Sequence, residues 1–119
     1  MNRAGDGAIY IFTDADQAVS ASKNFMIRLD QFNKETNTLQ SSFKVRIGLN
    51  TGEVLANATQ KHPDVLSQVL DIAGHLQKQA EAGEVLITES TFRQLIVNQG
   101  FRPREELKEN NESVYSLEK

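Results

Sequence analysis

From Phe43 to Leu49 the chain alternates: Phe43, Val45, Ile47 and Leu49 are apolar, with Lys44, Arg46 and Gly48 between them. A period of two buries one face and wets the other, so this spacing predicts a strand. Asn50-Thr51-Gly52 follows, and Asn and Gly tolerate the positive φ of a tight reversal. Val54 and Leu55 then restart the apolar pattern, which predicts a hairpin at the centre of a sheet. Ala8-Ile9-Tyr10-Ile11-Phe12 is a second strand of β-branched and aromatic residues. Gly5-Asp6-Gly7 before it is a tight turn, which makes the residues from Met1 to Ala4 its expected partner. So short a partner is expected from a chain cut inside a domain, or from one that has lost a strand. Either origin leaves an open edge that invites self-association.

Between these strands the period changes to that of a helix. Ala15, Ala18, Ser22, Phe25, Leu29 and Phe32 recur at spacings of three and four, and Val19 and Met26 widen the band. The spacing predicts one buried stripe on a helix capped by Thr13 or Asp14 and ending near Lys34. A second helix is predicted from about Val65 to Glu81, with Val69, Ile72, Ala73, Leu76 and Ala80 inward and Gly83 as C-cap. Residues 84–87 read as a short buried strand, and Thr88 caps a brief helix carrying Phe92, Leu95 and Ile96. The segment from Phe101 to Leu117 holds two strands around the turn Glu109-Asn110-Asn111-Glu112. The order β-α-β-β-α-β-α-β-β predicts an α+β, ferredoxin-like domain. Its sheet is expected to be mostly antiparallel, with both long helices packed on one face.

Composition narrows the function. At 119 residues there is room for one core. A net charge of −3 without any Lys/Arg cluster gives no electrostatic basis for nucleic-acid binding or for docking to anionic lipid. With no cysteine, disulfides and thiolate metal sites are excluded, and a reducing cytoplasm is the expected setting. No apolar run reaches the roughly 20 residues of a membrane span.

No Walker, G-x-S-x-G or H-E-x-x-H pattern occurs, and His62 sits in a polar loop where it carries no chemistry. Asp6 is either a turn residue bonding its own backbone or a carboxylate presented to Mg²⁺. Arg46 is either a solvated charge or a phosphate clamp. On this reading alone the chain could equally be a protein-interaction module with Asp6 and Arg46 solvated.

Several motifs in register favour a more specific reading. Residues 45–54, Val-Arg-Ile-Gly-Leu-Asn-Thr-Gly-Glu-Val, resemble the V-R-I-G-[IL]-[HN]-T-G-x-V signature of class III adenylate/guanylate cyclase domains. Gly5-Asp6-Gly7 is similar to that family's G-D-[GA] hairpin, residues 64–76 to D-x-x-G-x-x-V-N-x-A-x-R-L, and residues 82–91 to A-x-x-G-E-I-L-[IV]-S-x-x-T. Leu107-Lys108 and Val114–Leu117 resemble its terminal hairpin. The resemblance covers nearly the whole chain and implies one cyclase-homology domain over residues 1–119, lacking the family's first strand and first helices. It implies signal transduction and the conversion of ATP or GTP to a cyclic nucleotide and pyrophosphate with Mg²⁺ or Mn²⁺. It also implies a homodimer, or pairing with a second cyclase domain. By position, Asp6 is the implied metal ligand, while Arg46, Asp64 and Lys108 are implied to bind the nucleotide.

The departures fall on the catalytic positions. Asp71 replaces the Asn that orients the ribose, and His75 replaces the Arg that stabilises transition-state charge. Near pH 7 a neutral imidazole supplies little of that charge. The expectation is a cyclase-homology chain that is catalytically incompetent by itself, either a dimerisation or nucleotide-sensing module or a fragment of an active enzyme whose first metal-binding strand lies upstream and whose activity the helix substitutions weaken. Read without the resemblance, Asp71 and His75 are polar positions on the flank of a helix.

Overall fold

The computed structural model describes residues 2–4, 7–35, 44–52, 63–109 and 111–117. Strand β1 (Asn2–Ala4) pairs antiparallel with β2 (Gly7–Ile9), Ala4 opposite Gly7, and Gly5 and Asp6 of the expected turn lie outside the described residues. Helix α1 (Ala15–Glu35) follows, capped by Asp14, whose carboxylate accepts the Asp16 N–H at 3.1 Å. Next come β3 (Ile47–Leu49), helix α2 (Pro63–Gln79) and β4 (Val85–Thr88). Pro63 opens α2 where a missing N–H costs nothing. Helix α3 (Glu89–Gln94) begins at Thr88, whose hydroxyl accepts the Thr91 N–H. Strands β5 (Phe101–Glu109) and β6 (Glu112–Leu117) close the hairpin, with Glu109 opposite Glu112 and Asn111 at φ 63° in the turn.

Among the described strands the second sheet has the order β3-β4-β6-β5, with β3 and β4 parallel and the other two pairings antiparallel. This is the mostly antiparallel α+β sheet expected. Strand β3 stands at one end of that order, and the Val54-Leu55 partner expected for it lies outside the described residues.

The long helices do not share a face. Val85 and Ile87 pack with Val19 of α1, whereas Leu86 packs with Leu76 and Ala80 of α2. Neighbouring residues of a strand point to opposite sides, so α1 and α2 cover opposite faces of the sheet. The one-sided expectation failed at Gly48, which the alternation places on the face left to solvent. A Cβ on Gly48 would lie 2.5 Å from the Gln77 nitrogen and 2.6 Å from the Ala73 oxygen. Its face of β3 carries no side chain because the α2 backbone rests directly on it. Strand β4, buried at every position, states the same fact in sequence: both its faces need cover.

The α1 stripe is also narrower and rotated. Val19 and Ser22 are buried, with Ala15 and Met26 against the core, while Phe25 is 49 % and Phe32 40 % exposed. Ser22 satisfies itself on the Ala18 carbonyl at 2.9 Å. The expected strand from Ala8 to Phe12 stops at Ile9, where pairing with Asn2 runs out, and Tyr10, Ile11 and Phe12 are exposed. Helix α2 ends at Gln79, so Gly83 is not its cap. With φ 83°, Gly83 instead occupies a turn closed by the Glu84 N–H on the Glu81 carbonyl at 2.9 Å.

Candidate functional site

The cyclase-like signature runs through β3 and ends in a polar knot. Asn50 donates to the Val69 carbonyl of α2 at 3.1 Å and accepts from the Thr88 hydroxyl at 2.8 Å. The Thr51 and Thr91 hydroxyls meet at 2.8 Å. Thr88 and Thr91 are fully buried, so these hydroxyls replace lost water and tie the end of β3 to α2 and to the start of α3. Asn50, Thr51, Thr88 and Thr91 thus fix the end of β3 against α2 and α3. Gly52 fits the same junction, since a Cβ there would lie 2.3 Å from Val69 Cγ2.

A second polar cluster locks β4 to the hairpin. The Glu84 carboxylate accepts the Glu81 N–H at 2.8 Å and the Ser116 hydroxyl at 2.8 Å, and pairs with Arg104, which also reaches Glu106 at 3.2 Å. Burial opposes ionisation of Glu84, but the Glu81 N–H, the Ser116 hydroxyl and the Arg104 guanidinium outweigh it. Together they hold its carboxyl below the ordinary glutamate range.

The residues singled out in sequence divide into three groups. Asp6 lies outside the described residues. Asp64 is the second residue of α2, its side chain likewise outside the description. Arg46 is exposed, immediately before β3. Asp71, His75 and Lys108 are exposed as well, and the fold brings only the α2 pair to a junction, since Lys108 lies between Leu107 and Glu109 on β5 and faces the other side of the sheet. Asp71 precedes His75 by one helical turn and so shares its side of α2. The His75 Nδ1 lies 3.7 Å from Glu109 Oε1, next to Lys108 on β5. Gln79, one turn after His75, donates to Glu109 Oε2 at 2.7 Å. The Glu109 side chain is 14 % exposed and that of His75 64 %.

Glu109 and Gln79 were not anticipated. The helical spacing of His75 and Gln79 placed them on one side of α2, but only the hairpin register brings Glu109 opposite both. Among the described residues no three His, Cys, Asp or Glu side chains come together as metal ligands. The described residues therefore do not make up a site for the divalent cation that the resemblance implies.

A family model described as the adenylate and guanylate cyclase catalytic domain matches residues 8–117. None of the curated proteins and none of the solved structures compared with the chain matches it.

Proposed function

Because the chain belongs to the adenylate and guanylate cyclase catalytic domain family, we propose that it acts in cytoplasmic signalling as a cyclase-homology domain that does not itself cyclise nucleotides. It pairs with a copy of itself or with a second cyclase domain, and it senses ATP or GTP rather than converting it. The observation that carries this reading is the contact between His75 and Glu109.

Cyclisation forms a bond from the ribose 3′-oxygen to the α-phosphorus and expels pyrophosphate, so negative charge grows on the phosphate oxygens. That charge needs a fixed positive partner, and His75 stands at the position for it. A neutral imidazole supplies no charge, and a protonated one shares its charge with the Glu109 carboxylate 3.7 Å away. Asp71, one turn earlier, adds a further negative group. Loss of such a partner typically costs about two to three orders of magnitude in rate.

Incubating the chain with ATP or GTP and Mg²⁺ or Mn²⁺ should yield no cyclic nucleotide above background. Cyclic AMP or cyclic GMP formed in proportion to added protein would overturn the reading.

A further inference from the structure

We propose that the groove between α1 and the loop after α3 is the surface through which two copies of this chain pair, their α1 helices antiparallel about a two-fold axis. The inference rests on the reading that the chain pairs with a copy of itself, and it names the surface that does so.

The groove encloses about 370 Å³ between the start of α1 and residues 96–97. Asp16, Ser20 and Lys23 form one line along its helical wall, and Ile27 continues that line beyond it, at spacings of four, three and four residues. The opposite wall is clamped. Asp16 accepts the backbone N–H groups of both Ile96 and Val97, at 3.0 and 3.2 Å. With those amides bonded inward the two side chains stand outward, 88 % and 61 % exposed. Ile27, about 16 Å along the helix from Asp16, is 56 % exposed. Bare aliphatic side chains on a backbone already fixed can be buried by a partner at little cost in ordering. The charges say which partner fits. Asp14 stands at one end, exposed, with Oδ1 engaged in the helix cap. Lys23 lies towards the other end and makes no ion pair among the described residues. A surface negative at one end and positive at the other matches its own copy turned about a two-fold axis. With that axis near Ser20, Lys23 of each copy faces Asp14 of the other, and Ile96 and Val97 of each meet Ile27 of the other. Because α1 and α2 cover opposite faces of the sheet, this pairing leaves Asp71 and His75 uncovered.

Sedimentation equilibrium of the whole chain tests this, and the unmodified chain should show monomer and dimer in exchange. Ile96→Asp and Ile27→Asp should each weaken the dimer at least about a hundredfold, because each apolar contact enters a two-fold interface twice. Lys23→Glu, which sets two carboxylates against each other, should weaken it about tenfold, and less at high salt. Phe25→Ser should leave it unchanged, since Phe25 looks to the other flank of α1 from Ile27. A carbodiimide cross-link needs no variant to fold. In a mixture of isotope-labelled and unlabelled chains it should join Lys23 of one copy to Asp14 of the other. A dimer that survives both aspartate substitutions, or that forms without this cross-link, overturns the groove and leaves self-pairing standing. A chain that stays monomeric at the highest concentration reached overturns both.

Discussion

The two faces of the sheet are held by different means. On the α2 face the helix backbone sits on Gly48, Leu76 and Ala80 seal against Leu86 and Val114, and polar side chains fill what remains. On the α1 face the helix makes contact through its side chains, with Asp16 accepting the Ile96 and Val97 N–H groups at 3.0 and 3.2 Å. Val19 meets Val85, Ile87 and Leu95, and Phe92 stacks on Tyr115 at 4.2 Å and meets Phe101 edge-on at 6.1 Å. Backbone against backbone leaves no slack, so the α2 face fixes positions. An interface of side chains can repack, so the α1 face tolerates a helix whose outer aromatic rings stay partly in water. Asp71 and His75, implied in nucleotide chemistry, lie on α2 and so with the rigid partner.

The contrast is tested most sharply at Gly48. Gly48→Ala places a methyl group against main-chain atoms of Ala73 and Gln77, which no rotamer change relieves. The expected loss is more than about 3 kcal/mol, read as a collapse of the thermal midpoint, because overpacking against backbone must move the whole helix. A near-unchanged midpoint would show that α2 slides freely and that the two faces are alike.

Next in size is Glu84. Glu84→Ala leaves the Arg104 guanidinium with only Glu106, and the Ser116 hydroxyl and the Glu81 N–H without their acceptor. The cost should be about 3 kcal/mol, as for one partner removed from a buried pair. The sign of the pH dependence follows from the depressed carboxyl. The folded state holds Glu84 ionised more strongly than the unfolded chain does, so its contribution is fully present above the ordinary glutamate range. That contribution is lost as pH falls through the lower folded value. Denaturant midpoints should therefore drop between mildly acid and strongly acid pH in the unmodified chain and drop less in Glu84→Ala. Equal slopes would remove Glu84 from the account.

Much of this architecture is legible in the chain. Asp14, one of the two caps expected for α1, and Thr88 cap their helices, and Asn111 at φ 63° lies in the expected hairpin turn, because caps and tight turns are decided by residues close in sequence. What sequence concealed was long-range. Gly48 reads as a position on the solvent face of the strand, yet the α2 backbone rests on it, since an absent side chain gives no signal of what replaces it. Glu84 reads only as the first residue of a short buried strand, and its partners Arg104 and Ser116 lie 20 and 32 residues away. Asp71 and His75 were identifiable by position, whereas Glu109 needed the hairpin register to bring it across from α2. The α1 stripe was correctly found as apolar but wrongly centred, because a helical period gives spacing and leaves the direction of the core open by a residue or so on either flank.

That last error leads to the smallest effect. Two substitutions on one helix separate the residues that carry the α1 face from those that only share its pattern. Val19 is 4 % exposed in the cluster of Val85, Ile87 and Leu95, and Val19→Ala should cost about 2 kcal/mol through lost burial and the cavity left behind. Phe25 matches the apolar period as well as Val19 does, yet it is 49 % exposed. Phe25→Ser forfeits only the contact its inner edge makes and a few tenths of a kcal/mol in helix propensity. The expected loss is therefore under about 1 kcal/mol, or a few degrees in the thermal midpoint of a chain this size. Measuring both variants side by side removes the shared uncertainty of the unfolded state, since the same helix is altered in each. If Phe25→Ser cost as much as Val19→Ala, the stripe would be buried across its whole width, and the looseness assigned to the α1 face would be wrong.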